Sequence, residues 1–149
     1  MLGRPHRYLC DVYDKTHKFL PPLGDPKRYA VLQWVHAAEA TYALHALAIL
    51  YTRSFQSGGD VAKTEEALKG NVQKDLDYLE SELEKSSGLF LLGDNVTAAD
   101  TMMEFCCDFV FVRELGTKGK NWPKIEQYVK DCQSTESWKK AQRKTGHKL

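Results

Sequence analysis

The chain is poor in everything that would build a sheet. β-Branched residues never alternate with polar ones over a sustained run, and the 10 glycines and 5 prolines mostly separate helical patterns. A sandwich or barrel is therefore not expected. No stretch approaches the ~18 consecutive apolar residues of a membrane-spanning helix. The basic residues of Met1-Leu2-Gly3-Arg4-Pro5-His6-Arg7 are followed by no apolar h-region, so no signal peptide is expected either. Charge imbalance is missing too, with 21 Lys and Arg against 20 Asp and Glu. The longest basic cluster, Lys139 to Lys148, has only Trp138 as an aromatic neighbour, a poor nucleic-acid surface. The 4 cysteines, Cys10, Cys106, Cys107 and Cys132, show neither C-x-x-C nor zinc spacing. Adjacent Cys106 and Cys107 point to different sides of a helix and read as small buried hydrophobes, which fits a reducing, cytoplasmic setting.

What is present is ordinary globular material: 149 residues, 42% hydrophobic and 28% charged, without repeats or low-complexity runs. A chain of this size forms one domain and buries roughly 68–70% of its unfolded surface. The pattern is all-α. A first helix is expected over about Pro5 to Lys15, with Tyr8 and Tyr13 packing it, and a linker Phe19-Leu20-Pro21-Pro22-Leu23-Gly24 follows. Asp25-Pro26 is a strong start for a long helix to about Arg53. Its apolar stripe runs Val31, Trp34/Val35, Ala38, Tyr42, His45/Ala46, Ile49. Another helix spans about Val61 to Lys85, with Gly70 marking where a neighbouring helix approaches. Helices are also expected from Trp122-Pro123 onward and over Ser134 to Arg143.

The helix from Thr97 to about Arg113 is apolar nearly all round, so the bundle should be built around it. Thr97 and Asp100 can form a capping box, with Asp in the usual Glu or Gln position. Asp100, Glu104 and Asp108 recur at i, i+4, i+8. No Glu-x-x-His pair accompanies them, and the line reads as the polar stripe that lets such a helix meet solvent, not as a metal site.

Leu91-Leu92-Gly93-Asp94-Asn95-Val96-Thr97-Ala98-Ala99-Asp100 resembles the most diagnostic segment of the glutathione S-transferase C-terminal domain, a Gly-Asp turn followed by Ser/Thr-x-x-Asp. Tyr8 to Asp14 resembles the last helix of that family's thioredoxin-like N-terminal domain, and Phe19 to Asp25 its interdomain linker. Trp34-Val35-His36-Ala37-Ala38-Glu39-Ala40-Thr41 is similar to its first long helix, and Trp122-Pro123-Lys124-Ile125 and Trp138-Lys139-Lys140-Ala141 to its closing helices. Thr101 and Glu136 depart from the pattern, standing where the family usually has a large aliphatic residue and often a proline.

The resemblance implies residues 1–15 as the remnant of a thioredoxin-like domain, 16–24 as linker and 25–149 as the helical domain. It implies an activity in which a glutathione thiolate attacks a hydrophobic electrophile, with glutathione as co-substrate and no other cofactor. The hydroxyl or thiol that holds the thiolate lies near the start of the N-terminal domain, and Met1 to Arg7 offers neither the acidic residue nor the Ser that binds the γ-glutamyl group. No catalytic residue is expected in this chain, which reads as truncated and not competent alone. The electrophile wall implied by the resemblance is Trp34, His36, Glu39, Tyr42 and His45, with Glu39 the best functional candidate. Core packing competes for Trp34, Tyr42 and His45. The implied partners are a second copy of the chain or a docking thioredoxin-like domain. The alternative role is a non-catalytic assembly module, since this helical domain also serves in the translation machinery.

Overall fold

The computed structural model describes residues 3–146. The expected segment ends at Met1 and Leu2, and the last of the basic tail with the domain end at Leu149, lie outside the described residues. Helix α1 covers Gly3–Tyr13, α2 Pro26–Ala37, a π-helical segment Ala38–Ala43, α3 Leu44–Phe55, α4 Val61–Lys85, α5 Ala98–Val112, α6 Pro123–Ser134 and α7 Glu136–Thr145. Among the described residues the one strand-like pairing is an isolated bridge between Phe90 and Gly93. The bundle is assembled around α5, which packs against α1, α2, the π-helical segment and α6. Met103 and Cys107 of α5 meet a core that includes Ile49, Leu79 and Ile125, all buried.

The expected long helix is one rod with a change of pitch in the middle. Its buried positions Ala38, Tyr42 and Ala46 stand four apart, and in an α-helix each step of four drifts by about 40°. The π turn changes that drift in the middle of the rod, and the segment packs against both α5 and α4. The Ala38 carbonyl in this segment accepts from Cys106 Sγ of α5 at 3.1 Å. The rod starts where Asp25 Oδ1 accepts the Lys27 N–H at 2.8 Å and runs two residues past the expected end, to Phe55.

Helix α1 and the linker are tied down by two acids. Asp14 accepts the backbone N–H groups of Lys18 at 3.0 Å, Phe19 at 2.6 Å and Leu20 at 3.3 Å. Asp11 meets buried Arg28 at 2.6 Å, and Arg28 also donates to the Pro21 carbonyl at 2.6 Å. The Phe19 carbonyl then accepts the Ala98 N–H at 2.9 Å, joining linker to the head of α5. Tyr8 and Tyr13 do not pack the first helix, however. They are 60% and 68% exposed, because α1 has the bundle on one side only.

Helix α4 keeps its expected bounds, with Asp60 Oδ1 accepting the Lys63 N–H at 3.0 Å. Gly70 marks no helix approach: a Cβ there would meet nothing within 4 Å. The start of α6 is capped from another helix, where the two Glu80 oxygens of α4 accept the N–H groups of Lys124 and Ile125 at 2.9 Å each. Helix α7 begins later than expected because Thr135, accepting the Trp138 N–H at 3.3 Å, is its cap.

Candidate functional site

The structure divides the five implied wall residues. Trp34 and Tyr42 are buried side by side, with ring centroids 6.5 Å apart, and Trp34 stacks on Tyr78 of α4 at 5.7 Å. The Tyr42 hydroxyl is buried without a hydrogen-bond partner, and burial pushes its pKa far up. His45 lies on the α4 side too, its Nδ1 2.6 Å from Asp75 Oδ2. His36 is exposed and Glu39 half-buried, both off the Trp34–His45 face of the rod. Trp34 and His45 lie toward α4, with Tyr42 beside Trp34.

At the head of α5, the buried Asp100 carboxylate gathers four donors. Oδ2 accepts the Thr97 N–H at 2.7 Å and the Thr97 hydroxyl at 2.8 Å. Oδ1 accepts the Leu91 N–H at 3.0 Å and the Tyr128 hydroxyl at 3.2 Å. Satisfying a buried helix start this way avoids the cost of unpaired N–H groups. The acidic line thus splits. Asp100 is 1% exposed and structural, while Glu104 and Asp108 are half-buried on the outer side.

That outer side holds an open trough. Although α5 is apolar nearly all round, Phe105 is 56% and Val112 65% exposed. Phe105 stacks on Phe109 at 6.4 Å, and Arg113 lies 5.4 Å over the Phe109 ring. Three shallow cavities follow the strip. One of ≈ 190 Å³ lies against Leu9, Cys10, Phe19 and Thr101. The next, ≈ 320 Å³, lies between Phe19, Val96, Thr101 and Trp138. The third, ≈ 180 Å³, lies between Phe105, Asp108, Trp138 and Ala141. The walls are α1 with the linker on one side and α7 on the other.

Glu104 borders the second and third cavities. Gln133 Nε2 donates to Glu104 Oε1 at 3.0 Å and reaches Asp108 Oδ1 at 3.4 Å. Burial pushes the Glu104 carboxyl above its usual range, Gln133 and Trp138 pull it back, and the Asp108 charge raises it again. Two carboxylates one turn apart, beside an indole and a phenyl ring, suit a positive group carried on an apolar body. The sequence held the i, i+4 spacing of Glu104 and Asp108 but no sign of Gln133 or of the uncovered strip. No group of three or more His, Cys, Asp or Glu among the described residues is arranged to hold a metal ion. No helix among them is long and apolar enough to cross a membrane.

Comparison with known proteins meets this architecture directly. Residues 44–141, more than half of the chain, match the family model of the glutathione S-transferase C-terminal domain. No curated protein matches. Among solved structures, a glutathione S-transferase from Actinobacillus pleuropneumoniae superposes with a TM-score of 0.74 at 21% identity, covering 99% of this chain and 64% of that one. A glutathione transferase homologue from Lodderomyces elongisporus, with two glutathione molecules per subunit, gives 0.79 at 20% identity over 94% of this chain and 64% of that one. A glutathione transferase from Phanerochaete chrysosporium, solved with oxidised glutathione, gives 0.76 at 17% identity over 96% and 65%. The chain thus spans less than two thirds of the length of these relatives. On the family match, and with the shared helical fold beside it, the chain belongs to the glutathione S-transferase C-terminal domain family.

Proposed function

We propose that the chain is the helical half of a glutathione transferase-type protein, which contributes to binding an electrophile and does not conjugate glutathione alone. In this reading 1–15 is the last helix of a thioredoxin-like domain, 16–24 the linker and 25–149 the helical domain. The observation that carries it is that the chain superposes on less than two thirds of the length of the glutathione transferases it resembles. A group that holds a thiolate must reach the sulfur and favour its negative charge. Burial instead pushes Cys106 and Cys132 each up to about 12. The same cause drives Cys107, Tyr42 and Tyr128 well above their ordinary values. His36 and Glu39 stay accessible on the rod and are the wall residues we retain for substrate contact. Glutathione and a hydrophobic electrophile are the small-molecule partners, a thioredoxin-like domain or a second copy the protein partner, and the cytoplasm the location, which suits the free thiols.

A test by affinity separates the roles. The isolated chain should pass through immobilised glutathione unretained, while quenching of tryptophan fluorescence by a hydrophobic electrophile should weaken in Glu39→Gln or His36→Ala. Retention on glutathione would refute the division of labour. A second reading, a non-catalytic assembly module, is favoured by the uncovered Phe105–Val112 strip, since exposed apolar strips mark interaction surfaces. A stable complex with a partner protein, without electrophile quenching, would select it.

A further inference from the structure

Another cavity, ≈ 180 Å³, shares no residue with the trough along α5. It lies between the last turn of α4, the loop at 86–89 and the face of α6 that carries Lys124, Tyr128 and Asp131. Half-buried Leu83 and buried Tyr128 form its inner side, and Leu89, 60% exposed, its rim. The Tyr128 hydroxyl is already given to Asp100, so the ring is what the cavity meets. A cavity of roughly 150 Å³ holds a benzene-sized ligand. This one therefore takes a small apolar body with a polar head.

Charge decides what that head is. Glu84 stands in the last turn of α4, where a helix end carries partial negative charge, and Lys124 in the first turn of α6, where it carries partial positive charge. Each side chain opposes the dipole of its own helix. Neither is relieved from within the chain: among the described residues no ion pair is made by Glu84 or by the Lys124 ammonium, and Lys124 is held only through its backbone N–H, by Glu80. The cation next to Glu84, Lys85, pairs with Glu82 at 2.7 Å instead. Asp131 accepts from Gln127 Nε2 through Oδ1 at 2.9 Å and keeps Oδ2 for a further donor. A bare cation in this cavity would meet Lys124, and a bare anion would meet Glu84 and Asp131. A ligand that carries both charges meets each with its opposite. We infer that the α4–α6 cavity binds a free α-amino acid with an apolar side chain, its ammonium toward Glu84 and Asp131, its carboxylate toward Lys124 and its side chain on Leu83 and Tyr128. The inference rests on this cavity and not on the glutathione reading, so either can fail alone.

The test titrates the ¹⁵N-labelled chain with L-leucine, with N-acetyl-L-leucine, which lacks the ammonium, and with L-leucinamide, which lacks the carboxylate. Resonances of Gly88, Leu89, Lys124 and Gln127 should move, while the Trp34 and Trp138 indoles stay. Leucine should bind about 3- to 5-fold more tightly than either blocked compound, the scale of one half-exposed ion pair. Lys124→Met should erase the preference over leucinamide and keep the preference over N-acetyl-leucine. Glu84→Gln/Asp131→Asn should do the reverse, and both sets of changes leave the apolar inner side in place. Equal binding of the three compounds to the unaltered chain would overturn the inference. So would shifts confined to another part of the surface, or no saturating shift with leucine at tens of millimolar.

Discussion

The Tyr128 hydroxyl of α6 donates to Asp100 Oδ1 at 3.2 Å, deep inside the bundle. Asp100 therefore does more than close its own helix: the same carboxylate holds Thr97 within the turn and Leu91 in the loop before it. Removing it takes an acceptor from donors in three parts of the chain. Asp100→Ala should destabilise the domain by about 3 kcal/mol, read as a lowered urea midpoint. Tyr128→Phe, which removes one donor and leaves the cap, should cost about 1 kcal/mol. Equal losses from the two variants would show that the Thr97 and Leu91 contacts add nothing.

The two halves of that cluster differ in how visible they are from sequence. Thr97 and Asp100 stand three apart, and local spacing announces the pair. Tyr128 stands 28 residues away and Leu91 precedes the helix, so their convergence depends on how α6 folds back. The same division runs through the molecule. Helix α4 was readable because the spacing of Leu68, Val72, Leu76, Leu79 and Leu83 is local, whereas the Asp60 cap, the Glu80 cap on Lys124 and Ile125 and buried Arg28 emerged only from the structure. The π-helical turn was hidden because a 3.6-residue period was assumed throughout the rod. In the candidate site, the acidic spacing of Glu104 and Asp108 was legible. The trough was not, because an all-apolar helix is expected to be covered on every side.

Gly70 is an exposed glycine inside α4 with open space around it. Gly70→Ala should stabilise the domain by up to about 1 kcal/mol, through helix propensity and a less free unfolded chain. Thermal unfolding of the two proteins reads this directly. Gly88→Ala should act oppositely, since a Cβ there would clash with the Gly93 carbonyl.

Acid should weaken the fold. For Asp14, burial works upward but the backbone N–H groups of Phe19, Lys18 and Leu20 outweigh it, so its pKa lies below the ordinary value. Asp11, Glu65 and Asp77 are lowered chiefly by hydrogen bonds from Arg28, Arg53 and Lys120. Each binds its proton less readily when folded. Their stabilisation is fully present above the unfolded values near ~4 and is lost as pH falls through the lowered folded values. Glu104, raised by burial, has the opposite sign and gains as pH falls through its raised value. With four groups against one, the urea midpoint should drop as pH falls below about 4, and Asp14→Asn should flatten that limb.

The four thiols should differ in reactivity. Cys106, Cys107 and Cys132 are buried, and burial lifts their pKa values. Cys10 is half-exposed, and its thiol is raised by burial and by the charges of Asp14 and Asp11. Native chain treated with iodoacetamide should carry a slow label at Cys10, and the other three should react only on unfolding. Mass spectrometry of the intact chain and its peptides reads both the number and the site.

We propose that this member of the glutathione S-transferase C-terminal domain family does not, by itself, generate the glutathione thiolate. The initial rate of conjugation of glutathione to a chlorodinitrobenzene electrophile by the purified chain tests it most directly. The rate should equal the buffer background at every chain concentration. A rate that rises in proportion to chain and saturates with glutathione would contradict it.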